Sequence, residues 1–349
     1  MLLSGTVDAL TRVQERLRRL GWACATETET HEALERYCLK YQLPVPTTWE
    51  EAVPLLFVNP WQGGKCVATT TAETPHSPIS VISSSELQTF YTTGRLETAL
   101  TFDANTYTVL DDGLGGSALA RFDAALHQWV ALDSLKLGDF SPKNSGQRFL
   151  WDALSRPEVR CVVTHGATGS GKTLLAILFG VHAVQQGQFE KITLIKPHVD
   201  VGKGLGYLPG GIDEKIDPYY QSFYGALRQV AKAQGRQART LRDEEALGDE
   251  LFEILPVPYV RGLTLADRWV IVDEVQNCSP HEIKTILTRI DHSSRVILCG
   301  DVDQQDVRMT TDNGLVHVLK QFRGLPFFAQ VELTKVLRGP VADAADRLL

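Results

Sequence analysis

The chain has 349 residues, 43% of them apolar and 22% charged, with a net charge of −7. Such a composition excludes a collagen-like or disordered chain and leaves room for about two or three domains with a sizeable core. No stretch approaches eighteen apolar residues, Met1 to Leu10 lacks a basic leader, and the six scattered cysteines show no C-x-x-C or Cys/His zinc spacing, so a cytoplasmic protein with reduced thiols and no membrane partner is expected.

The acidity is uneven. Residues 1–140 carry 10 Lys and Arg against 17 Asp and Glu, whereas 141–349 carry 25 of each. A neutral second part still allows nucleic-acid binding, because a local basic stripe makes the electrostatic footprint.

In chain order, residues 1–57 predict a small helical N-terminal domain: Val7, Leu10, Val13, Leu17 and Leu20 recur at spacings of three and four, and Ala33, Leu34, Tyr37, Cys38 and Tyr41 repeat the pattern. Residues 58–80, with Asn59-Pro60, Gly63-Gly64, Pro75 and Pro78, read as a linker. Residues 81–140 predict a short β-rich subdomain, with Tyr107 to Leu110 before the turn Asp111-Asp112-Gly113 and a second run from His127 to Leu132. From residue 141 to 349, five apolar runs (161–165, 191–196, 269–273, 295–299 and 328–333) alternate with helical segments. Such alternation predicts an α/β fold, a parallel sheet with helices on both faces and ligands at the carboxyl ends of its strands.

The most informative run is Gly166-Ala167-Thr168-Gly169-Ser170-Gly171-Lys172-Thr173, which fits G-x-x-x-x-G-K-[ST] between a strand-like and a helix-like segment. Glycines let successive N–H groups point into one concavity, and the helix N-terminus adds positive potential there. Lys172 is then expected at the β- and γ-phosphates of ATP, and the Thr173 hydroxyl on Mg²⁺. The strand ending Asp273-Glu274 supplies two carboxylates: Asp273, as the last strand residue, for Mg²⁺ through its water shell, and Glu274, on the other side of the pleat, to orient the attacking water. Gln304, two residues beyond Val302 on a neighbouring strand end, is expected to sense the γ-phosphate. Asn144 and Gln147, ahead of the first core strand, are candidates for the adenine edge, though before a helix the same residues serve as a cap. A transition-state cation beyond Lys172 is sought among Arg261, Arg289 and Arg338. Arg289 and Arg338 are favoured near the phosphates, with one of them supplied across a subunit boundary.

These motifs in this order resemble the PhoH family of P-loop ATPases, and more closely the ATPase half of its long form, in which a PIN nuclease domain comes first. The likeness rests on Gly166 to Thr173; Gly206-Tyr207-Leu208-Pro209-Gly210 with Glu214-Lys215; Tyr259-Val260-Arg261-Gly262; Asp273-Glu274-Val275-Gln276-Asn277; Lys284 to Arg289; and Gly300-Asp301 with Gln304. It covers 141–349 and reaches back weakly to Gly116–Arg121. The resemblance implies a RecA-like core, ATP hydrolysis, an RNA or single-stranded nucleic-acid partner and a hexameric ring. Three departures stand out: Lys196-Pro197 where the family has Arg-Pro, Val275 where it has Ala, and a first segment without the converging carboxylates of a PIN nuclease. Nuclease activity is therefore not carried over.

Arg228, Lys232, Arg236, Arg239 and Arg242 stand at spacings of four, four, three and three, with no acid between Asp217 and Asp243, so a helix there carries one basic face. Arg228, Lys232, Arg236 and Arg239, with Arg261, are the expected nucleic-acid contacts, and the bland alternative is a solvated face. Tyr219, Tyr220, Phe223 and Tyr224 fit base stacking or, better, core packing. The leading expectation is thus a Mg-dependent ATPase acting as an RNA helicase or translocase. The alternative is a regulatory nucleotide-binding module that controls a protein partner through the N-terminal domain; a small-molecule kinase fits less well.

Overall fold

The computed structural model of the chain describes residues 4, 6–19, 24–41, 45–49, 51–52, 79–197, 223, 225–226, 228, 230, 251–302 and 313–335. Two compact units divide it: Met1–Thr101 with Tyr107–Leu132, and Phe102–Thr106 with Asp133–Leu349.

In the first unit, helix α1 (Val7–Arg19) and helix α2 (Glu27–Tyr41) share a small core. Ala9, Val13 and Leu17, four residues apart, meet Leu34, Cys38, Trp49 and Ala52. That stripe is shifted from the one read in the sequence: Val7, in the first helical turn, is exposed, and Ala9 takes a place on the inward face. Four-residue steps keep side chains on one side of a 3.6-residue helix, whereas Val7 lies about 200° from Ala9 around the axis. The linker expected at 58–80 lies outside the described residues except for its last two.

The β-rich segment of this unit holds β1 (Ile79–Val81), helix α3 (Ser84–Thr93), β2 (Arg95–Glu97), β3 (Tyr107–Asp111), β4 (Ser117–Asp123) and β5 (Gln128–Ala131). They form one sheet in the order β1-β3-β4-β5-β2. The β3–β4 turn is built on Asp112, whose Oδ1 accepts from the backbone N–H groups of Leu114 and Gly116, both at 2.9 Å. Helix α3 opens on a capping box, with Ser83 and Glu86 satisfying each other's backbone N–H.

The second unit carries the expected parallel sheet. After helix α4 (Ser145–Ser155) come β6 (Cys161–His165), helix α5 (Lys172–Gln185), β7 (Lys191–Ile195), β8 (Phe252–Ile254), β9 (Arg268–Val272), helix α6 (Pro280–Leu287), β10 (Arg295–Gly300), helix α7 (Gly314–Gln321) and β11 (Phe328–Glu332). The sheet order is β11-β6-β10-β9-β7-β8, and every pairing is parallel. Both flanks are covered, so β6 and β10 are buried at every position. Each buried Val, Ile or Leu there contributes about 1.5–3 kcal/mol. Helix α5 lies close on β9: Trp269 Nε1 donates to Ala176 O at 3.1 Å. Five of these six strands are signalled in the sequence; β8 is not, because Phe252-Glu253-Ile254 is too short for a visible period.

The place of β10 in this order builds the site. It lies between β6, which leads into the glycine-rich loop, and β9, which leads into Asp273-Glu274. This interposed strand makes the unit a RecA-like core, and all three strand ends open on one edge of the sheet.

Candidate nucleotide site

The loop begins where β6 ends. Gly166 has φ +115°, and a Cβ there would come within 2.5 Å of Leu333 O, so only glycine lets the chain leave β6 past the end of β11. Gly171 forms the N-cap of α5, and Lys172 and Thr173 are its first residues. Lys172 Nζ donates to Gly166 O and Ala167 O, so its ammonium lies within the loop's own curve.

Thr173 Oγ1 donates to Asp273 Oδ1 at 3.1 Å. This bond joins residues 100 apart in sequence and brings the two halves of the motif set together. Asp273 follows the last residue of β9, but its N–H still bonds to Ile195 O at 3.0 Å. It is 7% exposed. Burial, reinforced by the neighbouring Glu274 charge, pushes its carboxyl up to about 6, against the opposing pull of Lys196 and the Thr173 hydrogen bond. A buried carboxylate beside a second carboxylate is costly, and a divalent cation would relieve it. With the hydroxyl of Thr173 these are hard oxygen donors, so the residues present fit Mg²⁺.

Glu274 is directed differently from the sequence expectation. The pleat ends at Val272, and Glu274 takes a left-handed backbone, φ 54° and ψ 41°, before a 3₁₀ turn at Val275–Asn277. Its side chain therefore leaves through a tight turn and not by strand alternation. A non-glycine residue there is strained, a feature that clusters at functional sites. Cys299 of β10 registers the same charges: burial first, then Asp273, holds its thiol well above the ordinary range, while Lys172 opposes them.

Asn144 caps α4, its side chain accepting from Gln147 N at 2.9 Å. Gln147, 5% exposed, accepts from Lys143 N at 2.9 Å and donates through Nε2 to Ser170 O at 2.8 Å. This brace on the loop is a role the sequence did not announce. Arg289 stands apart from the loop. Its carbonyl accepts from Leu265 N, beside the amino end of β9, at the far end of α6 from Asp273. Arg261 is exposed, with Nη2 3.3 Å from His281 Nε2 in the first turn of α6. Phe223, Ala226 and Val230 are buried, and Arg228 is exposed on the same helical stretch; Phe223 thus packs. Gln304, Arg338, Lys232, Arg236, Arg239 and Arg242 lie outside the described residues, as do Gly206 to Lys215, Tyr219, Tyr220 and Tyr224. A cavity of about 530 Å³ opens at the amino ends of the strands, between Arg160, Phe189 and Trp269, and involves no loop residue.

A family model described as PhoH-like protein matches residues 139–348. The chain belongs to the PhoH family. It is 33% identical over 257 residues to Protein PhoH2 of Bacillus subtilis (strain 168), covering 71% of this chain and 57% of that protein. A PhoH-like protein of the same organism is 38% identical over 201 residues, 57% of this chain and 60% of that one. Protein PhoH2 of Mycolicibacterium smegmatis is 31% identical over 273 residues, 77% of this chain and 61% of that protein. The chain thus spans about 60% of the length of these curated relatives. Among solved structures, an unliganded Pif1 from Bacteroides sp matches with 18% identity and a TM-score of 0.25, over 58% of this chain and 43% of that one. Family, loop and sheet order together make this PhoH chain a P-loop NTPase. No helix among the described residues is long and apolar enough to cross a membrane.

Proposed function

We propose that this PhoH-family chain is a Mg-dependent ATPase that hydrolyses ATP to ADP and phosphate and couples turnover to unwinding or translocation on RNA or single-stranded nucleic acid, as a hexameric ring. The observation that carries the hydrolytic part is the Thr173–Asp273 hydrogen bond, with Glu274 at the next position. Thr173 and Asp273 would hold Mg²⁺, which supplies neutralisation of the β- and γ-phosphate oxygens when bound. Lys172 turns from the loop carbonyls to the phosphates, and the N-terminus of α5 adds its dipole. Glu274 orients the attacking water, and Gln147 keeps the loop's Ser170 carbonyl in place. Asn144 and Gln147 border the adenine side, and Gln304 reports the γ-phosphate.

Arg289 lies far from the loop of its own chain, so the transition-state cation comes from Arg338 or from an arginine of a neighbouring subunit. The basic run from Arg228, with Lys232, Arg236 and Arg239, and the exposed Arg261 support a phosphate-backbone contact.

Phosphate release tests the reading. Lys172→Ala should abolish turnover, and Glu274→Gln should keep ATP binding while hydrolysis falls to a slow residual rate that only single-turnover kinetics follow. Single-stranded RNA should raise the wild-type rate; a rate indifferent to every nucleic acid would favour the regulatory module acting on a protein partner. Ordinary turnover by Glu274→Gln would remove Glu274 from the water-activating role.

A further inference from the structure

We infer that Gln276 is the positioning residue for Glu274, tying the water-activating carboxylate to the end of β10. The inference rests on the hydrolytic reading of Glu274 above. Gln276 is 3% exposed. Its Nε2 donates to Glu274 Oε2 at 2.7 Å, and its Oε1 accepts from Asp301 N at 3.0 Å. These two partners orient the amide, because an ionised carboxylate only accepts and a backbone N–H only donates. The bond to Glu274 is charge-assisted, which makes it the stronger of the two.

Two local features converge on this amide. Glu274 adopts its left-handed backbone two residues before Gln276, so the 3₁₀ turn folds the glutamine back onto the glutamate. On the other side, a Cβ at Gly300 would lie 2.8 Å from Gln276 Oε1 and 2.9 Å from Leu315 Cδ2. The strand end is bare where the amide reaches it. Asp301 follows directly on β10, which pairs with β6 up to Gly300 and with β9 up to Leu298, so its N–H is an anchor one residue from the paired strand end. The tie takes Oε2 of Glu274 and leaves Oε1 to the water. A carboxylate released from it would swing, and displacements of about 1 Å at a reacting group cost on the order of 100-fold in rate.

The test compares two substitutions. Gln276→Glu, assayed at a pH high enough that the two acids do not share a proton, keeps an acceptor for the Asp301 N–H, and so the tie to β10, but sets a second carboxylate against Glu274. Gln276→Ala removes both bonds. Each should lower kcat for ATP by about 10- to 100-fold while the dissociation constant of a non-hydrolysable ATP analogue with Mg²⁺ changes little. Placed in a Glu274→Gln background, Gln276→Ala should cause no further loss in the single-turnover rate, because its effect passes through Glu274. Wild-type kcat in Gln276→Glu, or an equal loss in both backgrounds, would overturn the inference while leaving the hydrolytic reading intact. Should Gln276→Ala fail to fold, Gln276→Glu carries the test alone. If Glu274→Gln itself turns over normally, the hydrolytic reading fails first, and this inference with it.

Discussion

At the scale of single residues, the site holds one charge that is unfavourable where it stands and one buried amide that is hydrogen-bonded through both its oxygen and its nitrogen. Asp273 is buried beside Glu274, and its carboxyl is raised from an ordinary 3.8 to about 6. Between pH 4 and 6 the folded state therefore holds a proton that the unfolded state has released. Asp273 makes stability fall as pH rises through that window, leaving a deficit of about 3 kcal/mol above it in metal-free protein. Asp273→Asn should thus melt at a higher temperature than wild type at pH 8 without Mg²⁺, lose that advantage at pH 4, and show no hydrolysis. An equal or lower Tm at pH 8 would mean the carboxylate is not strained. Gln147 makes a second case. Removing its side chain leaves the buried Ser170 carbonyl without its 2.8 Å donor, at a cost of about 1–3 kcal/mol. Gln147→Ala should raise the KM for ATP about tenfold or more, with a smaller change in kcat. A kcat loss with unchanged KM would place Gln147 elsewhere in the cycle.

At the scale of elements, the catalytic turn is gripped from both ends. Upstream it hangs on β9, and downstream it runs into α6, whose N-terminus is a capping box: Glu282 N donates to Ser279 Oγ at 3.2 Å and Ser279 N donates to Glu282 Oε2 at 2.8 Å. Ser279→Ala should cost about 1 kcal/mol, seen as a lower urea midpoint with an unchanged slope. An unaltered midpoint would show that α6 is held by packing alone, through Ile283 and Ile286. Elements are also the most legible part of the sequence. Strands 161–165 and 295–299 are apolar runs because both of their faces are covered, and such runs are visible without a partner. Strand β8 is hidden because it is three residues long, and the stripe through Val7 is misleading because a helix end has fewer neighbours to enforce the period.

At the scale of the whole molecule, the two units differ in what they announce. The second is an NTPase core whose strand order sets loop and carboxylates on one edge. The first joins a pair of helices and a five-stranded sheet to an acidic composition. A shared site needs subunits in contact. Because Arg289 is remote from its own loop, the ring reading predicts that native mass measurement detects an oligomer, enriched by ATP and Mg²⁺. Fully active protein that remains monomeric under both conditions would refute completion of the site in trans.

What the sequence determined by itself was local: the glycine-rich loop, the apolar strand ending in two acids, and the alternation that makes a parallel sheet. Each depends on neighbours along the chain, through glycine's backbone freedom or through hydrophobic period. Tertiary structure alone decided the Thr173–Asp273 bond across 100 residues, the left-handed turn that redirects Glu274, the Gln147 brace and the Gln276 tie to Asp301. The Thr173–Asp273 bond and the Gln276 tie depend on β10 lying between β6 and β9. A polar side chain's partner in a buried site is set by which strand ends are adjacent, and that order is not written in any one segment of the chain.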